Sequence, residues 1–135
     1  MAFDFGDTRI GVAVGNTLLK IPHPLIIVTG RNKFEKFDKI GKLIYEWRPT
    51  QLVVGVPSAR EDNHALLTNL TRFSNRLKHN FNLPVALINE DYTSTIATQQ
   101  LNQQAVYGIK QKTKLDQLAA CGILQAYFDK VNDRV

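Results

Sequence analysis

Three acids carry most of the chemistry this chain can offer. Asp4 interrupts an apolar, strand-like run, Met1-Ala2-Phe3-Asp4-Phe5-Gly6; Glu90 follows a second run, Pro84-Val85-Ala86-Leu87-Ile88-Asn89; Asp116 stands near the start of an apolar helical segment. A carboxylate held on apolar backbone is costly to bury unless it is paired or binds a cation. For Asp4 the plainer alternative is a turn aspartate ahead of Gly6. Oxygen donors with few histidines suit Mg²⁺ or Mn²⁺ rather than zinc. Two such ions about 4 Å apart can activate a water and stabilise the leaving oxygen of a phosphodiester. The chemistry expected of Asp4, Glu90 and Asp116 is therefore metal-assisted hydrolysis, with the same three acids as catalytic groups and metal ligands.

Basic residues accompany them. The chain carries 17 Lys and Arg against 12 Asp and Glu, a formal net charge of +5 that favours a polyanionic partner without requiring one. Lys110, Lys112 and Lys114 alternate through what reads as a loop beside Asp116, where they could contact phosphate or simply be solvated. Arg9 is open to two readings, a phosphate contact or an ion pair with Asp7. Arg72, Arg76 and Lys78 recur on one predicted helix. Cys121 cannot form an internal disulfide and lies in an apolar helical run, which fits a buried spectator; none of His23, His64 and His79 is near it in sequence. The histidines lack metal-ligand spacing, and His23 sits between two prolines in an apparent extended loop.

The elements that must position the acids follow from periodicity. Residues 1–6 and 9–15 read as strands joined by Gly6-Asp7-Thr8, a hairpin signal in which glycine supplies an unusual backbone angle, and residues 25–29 as a third strand; Gly6, Gly11 and Gly55 also suit close backbone packing. Phe34, Phe37, Ile40, Leu43, Ile44 and Trp47 recur at helical spacing until Pro49. Leu52-Val53-Val54-Gly55-Val56 is a continuous apolar run that fits a central strand covered on both faces. Leu66, Leu67, Leu70, Phe73 and Leu77 mark the next helix, residues 84–89 the last strand, read as buried, Thr93 or Ser94 the cap of a helix to about Leu101, and residues 115–128 the final helix. The expected order β-β-β-α-β-α-β-α-α implies an α/β fold: a mixed five-stranded sheet, antiparallel through its first three strands and then extended by right-handed parallel crossovers, with helices on both faces.

At 135 residues, with 44% hydrophobic and 21% charged, the chain has the size and composition of one globular domain spanning 1–135. No apolar run approaches the roughly 18 residues of a membrane span, and no signal-peptide pattern opens the chain. A cytoplasmic location with no membrane partner is expected.

Taken together, Asp4-Phe5-Gly6 with Arg9-Ile10-Gly11-Val12-Ala13, Val54-Gly55-Val56-Pro57, Glu90 after a strand, and Lys114-Leu115-Asp116 with Ala119-Ala120 resemble the YqgF/RuvX family of RNase H-like proteins. The resemblance covers nearly the whole chain, in the family's order and spacing. It implies an RNase H-like fold with Asp4, Glu90 and Asp116 as metal-binding acids. It also implies a nuclease of the pre-16S rRNA or Holliday-junction-resolvase-like type. Three positions depart from the pattern: Asn89-Glu90-Asp91 stands where the family usually has Asp-Glu-Arg, Thr8 replaces a lysine, and Asp62-Asn63 replaces an acidic-Gly turn. The resulting expectation is a Mg²⁺- or Mn²⁺-dependent endonuclease acting on structured RNA, with precursor ribosomal RNA or ribosomal precursor particles as partners. The alternatives are a resolvase-like nuclease for branched DNA, which would favour a homodimer over a monomer, and a weakly catalytic nucleic-acid or ribosome-binding module.

Overall fold

The computed structural model describes residues 1–57, 64–89 and 108–132; for 108–117 and 132 it describes the helical backbone. Five strands, β1 (Ala2–Phe5), β2 (Ile10–Gly15), β3 (Pro22–Val28), β4 (Leu52–Val56) and β5 (Val85–Asn89), and three helices, α1 (Lys33–Trp47), α2 (His64–Phe81) and α3 (Gly108–Asn132), make up these segments. The sheet has the order β3-β2-β1-β4-β5. β2 is antiparallel to both β1 and β3, whereas β4 runs parallel to both β1 and β5. This is the mixed five-stranded α/β sheet expected from the periodicity.

Its two faces are built by strand alternation. Phe3, Ile10, Val12 and Val54 point into a core closed by Ile40 and Ile44 of α1 and by Leu70, Phe73 and Leu77 of α2. Ala2, Ala13, Val53 and Ile88 face the other way, against Ala120, Ile123, Leu124 and Phe128 of α3. The helix that covers this second face contacts all five strands. Small residues on its sheet-facing stripe, Ala120 above all at 0% exposure, let it lie close.

Local signals set the helix ends. Asn32 caps α1, its side chain accepting from the Glu35 amide at 2.9 Å. The helix stops at Arg48, which is left-handed at φ 47° and donates its amide to the Ile44 carbonyl at 2.8 Å, just before Pro49. Asn82, at φ 53°, ends α2 in the same conformation.

Three expectations need correction. β3 begins at Pro22, so His23 lies in a strand and not in a loop. Prolines are tolerated there because β3 is the sheet edge, and the ladder to β2 shifts register between Val12 and Ala13. The last helix begins at Gly108, not near residue 115, so Lys110, Lys112 and Lys114 lie on helical backbone and not in a loop. Lysine, glutamine and leucine are good helix formers, and one terminal glycine does not outweigh them. Finally, Gly6 is not at a positive φ; its reason is steric, as described below. The expected helix over residues 93–101, like Glu90, Asp91 and Asp62-Asn63, lies outside the described residues.

Phe73 is the hub of the first core. Its ring meets Phe3 edge-on at 5.8 Å, Phe5 at 4.9 Å and Phe37 at 6.2 Å, tying α1 and α2 to the central strand. Phe73→Ala removes all three contacts and should cost about 3–5 kcal/mol. Urea unfolding monitored by circular dichroism measures the loss, and a change below about 1 kcal/mol would contradict this role.

Candidate active site

Asp4 is the third residue of β1 and pairs across the ladder with Gly11 of β2. Because successive side chains alternate, it shares the face of Ala2, the face covered by α3, whereas Phe3 and Phe5 point toward α1 and α2. It is half-buried, near the carboxyl end of a strand flanked on both sides. The turn that follows is tight: a Cβ on Gly6 would lie 2.7 Å from the Arg9 carbonyl oxygen, too close for any side chain. Asp7 is turned the other way. Its carboxylate accepts from the Asn69 side-chain amide at 3.0 Å, and its carbonyl accepts from the buried Lys36 ammonium.

The parallel part of the sheet sets the level at which β5 ends. Phe3 is in register with Val54, and Val54 with Leu87, so β1, β4 and β5 point their carboxyl ends in one direction. β5 ends at Asn89, and Glu90 is the next residue in sequence. Neighbouring strands are about 4.8 Å apart, so β1 and β5 are separated by roughly 10 Å.

Asp116 is approached through α3. Its C-terminal half lies toward the far end of β2, because a Cβ on Gly15 would touch the Phe128 ring at 3.0 Å. Its N-terminal half therefore runs toward the end of the sheet that carries Asp4. Position 116 is one turn, about 6 Å, before Ala120 and on the same helical stripe. Ala120 belongs to the cluster that contains Ala2. From Ala2 to Asp4 is two residues, about 7 Å along the strand toward that end.

Among the described residues no three His, Cys, Asp or Glu side chains come together as a metal site. Of the three expected acids only the Asp4 side chain is described; Glu90 lies outside the description, and position 116 is given by its backbone. The same holds for Lys110, Lys112 and Lys114. Arg9 immediately precedes β2, half-buried, on the turn that separates the two faces.

Cys121 sits in the α3 core at 8% exposure, and burial pushes its thiol up to about 11. This is a protonated, inert sulfur. Sequence reasoning did not foresee a large cleft on the opposite side of the β1–β2 turn, lined by residues of α1 and α2. The signal was partial: Arg72 and Arg76 share a helical face, but their counterparts at Arg31, Lys33 and Lys36 are distant in sequence.

Two tests follow from this geometry. Gly6→Ala should cost about 1–3 kcal/mol and displace the end of β1; thermal unfolding measures the first effect, and a shifted Asp4 amide resonance the second. Cys121 should resist a thiol reagent at pH 8 in the native protein and react at once in denaturant; rapid native labelling would show that α3 does not seal this core.

The family model RuvX, described as "Holliday junction resolvase", matches residues 1–130. A protein of Chromobacterium violaceum named "Putative pre-16S rRNA nuclease" is 52% identical over 132 residues, covering 96% of each chain. A protein of the same name from Methylobacillus flagellatus is 48% identical over 130 residues, covering 96% of this chain and 89% of its own. Among solved structures, T. thermophilus RuvC in complex with Holliday junction substrate superposes with a TM-score of 0.58 at 16% identity, over 96% of this chain and 92% of that one. The latter likeness establishes the RNase H-like fold. With the RuvX match extending over all but the last five residues, the chain belongs to the RuvX family.

Proposed function

We propose that the protein is an endonuclease that hydrolyses phosphodiester bonds of structured RNA with Mg²⁺ or Mn²⁺, and that its substrate is precursor 16S ribosomal RNA. The observation that carries the nuclease reading is the RuvX membership across residues 1–130. The half-buried position of Asp4 at the carboxyl end of the central strand supports a role for it in that chemistry. The choice of precursor ribosomal RNA follows the names of the relatives at 52% and 48% identity.

The donor set fits a hard cation. Asp4, Glu90 and Asp116 would hold it entirely through oxygen. When bound, paired divalent ions supply an activated water and charge stabilisation for the leaving oxygen. The chain's own contribution is to fix the donors. The separation of roughly 10 Å between β1 and β5 leaves room for two carboxylates to meet ions between them. Asp4 is kept in place by the apolar residues on either side of it in β1, and its approach to Gly11 leaves the facing position without a side chain. Lys110, Lys112 and Lys114 on the first turns of α3, and Arg9 on the β1–β2 turn, would meet the phosphate backbone. We take residues 1–135 as one nuclease domain acting in the cytoplasm, on ribosomal precursor particles or free RNA.

A second reading, cleavage of branched DNA, is favoured by the family model's description and by the junction bound to T. thermophilus RuvC. It requires two sites, and so a homodimer. A parallel assay on a precursor ribosomal RNA fragment and a synthetic four-way DNA junction separates the two. Cleavage of the RNA is expected; symmetric nicking of the junction with the RNA untouched would reverse the assignment.

Asp4→Asn, Glu90→Gln and Asp116→Asn should each reduce Mg²⁺-dependent cleavage by at least about a hundredfold, leave the thermal midpoint nearly unchanged, and combine with little further loss. EDTA should abolish the wild-type activity, and Mn²⁺ should restore it. Full activity in any two of the single variants would refute the three-acid site.

A further inference from the structure

The cleft on the α1–α2 side of the sheet has a volume of about 960 Å³, at the large end for ligand sites. Five cations line it, Arg31, Lys33, Lys36, Arg72 and Arg76, against one acid, Asp7. Its carboxylate accepts from the Asn69 side-chain amide at 3.0 Å and keeps its charge, which leaves the lining cationic by five to one. Arg31 is paired with Glu35 at 3.4 Å, and Lys36 is spent on the Asp7 carbonyl. Lys33, Arg72 and Arg76 have no carboxylate partner among the described residues.

Two of these three are drawn together. The Lys33 ammonium lies 5.4 Å and the Arg76 guanidinium 5.2 Å from the centre of the same ring, Phe34, which is 61% exposed. Cation–π attraction holds each to the ring, and among the described residues no carboxylate pairs with either. An anion in the cleft would supply the opposite charge. Gly30 contributes sterically: a Cβ there would lie 3.0 Å from the Lys36 side chain and 3.2 Å from its amide, so the bare glycine lets Lys36 lie under the mouth of the cleft. The half-buried rings of Phe5 and Phe37 form an apolar floor against which a base can lie.

The cleft also adjoins the candidate active site. Asp7 and Thr8 form part of its wall, and they belong to the same short turn that begins at the end of β1, on whose other side Asp4 lies. An extended polyanion crossing this turn would touch both places, whereas a small anion would occupy one. We propose that the cleft is a second, non-catalytic contact for a single nucleic-acid strand, whose backbone phosphates are held by Lys33, Arg72 and Arg76 as the strand passes over the β1–β2 turn toward Asp4. The inference rests on the nucleic-acid reading above but not on its metal site.

The test is fluorescence anisotropy in EDTA with a single-stranded RNA, and a DNA of the same sequence, roughly twelve nucleotides long, within the range of single-strand sites. Lys33→Gln/Arg72→Gln changes two exposed cleft residues, and Lys42→Gln/Lys78→Gln is its charge-matched control on exposed positions outside the cleft. The cleft variant should bind about tenfold more weakly, with the slope of log K against log salt shallower by roughly 1.4, as for two lost phosphate contacts. The control should weaken by no more than about twofold, since its charges act only at long range. Should the double variant unfold, Arg72→Gln alone gives the same reading with about half the slope change. Binding by the cleft variant equal to that of the control overturns the proposal, as does failure of the wild type to bind either strand. Cleft-dependent binding of a mononucleotide as tight as that of the strand would replace the strand with a nucleotide ligand and overturn it too. Cleavage measured alongside in Mg²⁺ separates the two hypotheses. Wild-type inactivity with cleft-dependent binding sinks the nuclease reading alone; wild-type cleavage with control-like binding of the cleft variant sinks the second contact alone.

Discussion

Everything in this molecule is organised around the double burial of β1. Only four residues long, it is hydrogen-bonded to β2 on one side and β4 on the other, with Phe3 buried under α1 and α2 and Ala2 under α3. A strand in that position offers a polar side chain almost nowhere to go. Its ends are the exception, where the covering helix can be displaced from the sheet. Asp4 occupies such an end on the α3 face, so the hydrophobic effect that assembles the core also fixes where charge can be tolerated. The same burial holds the backbone that carries the carboxylate, because β1 cannot move without opening both cores.

The two faces of the sheet then divide the work. The α1–α2 face is held by aromatic packing, in which Phe73 joins Phe3, Phe5 and Phe37, and Phe37 in turn stacks on Phe81 at 5.6 Å. The α3 face uses small and branched residues, which bring one long helix close to all five strands. Large rings tolerate a cleft above them because their contacts are mutual. A helix packed on alanine offers no such space, and groups on that side must gather at its end.

Much of this was legible in the residues. The continuous apolar run at β4, the 3.6-residue spacing of Ile40, Ile44, Leu70, Phe73 and Leu77, and Pro49 as a stop each follow from local physics that tertiary contacts did not override; β5 is the strand expected, but it lies at the sheet edge with Leu87 54% exposed and is not the buried strand its apolar run suggests. Asp4 was legible as well, as an acid where the pattern calls for an apolar residue. What could not be read was of a different kind. β3 extends to Pro22 only because it is an edge, and edge position depends on which strands pair, not on the strand's own residues. The start of α3 was obscured because lysine and glutamine serve equally well in a loop and in a helix. Of the two readings of Gly6, close backbone packing holds and the unusual backbone angle does not; the residues alone did not decide between them, because a 2.7 Å approach by the Arg9 carbonyl depends on how the turn closes. The cationic cleft draws on residues from 31 to 76, and periodicity within one helix cannot show what a second helix brings to it.

The edge strand has a further consequence. β3 carries Pro22 and Pro24, opposite Gly15 and Ala13 of β2. Prolines in an edge strand sit where their missing N–H would face outward, so two successive donors are absent from the rim at its first half. A bare strand edge is a template on which another chain can continue the sheet. Here that template is interrupted, which blocks growth of the sheet from one molecule into the next along this rim. Beside that interrupted half of the rim, what the hairpin tip presents outward is side chains, Leu18, Leu19 and Ile21, exposed by 85%, 67% and 53%.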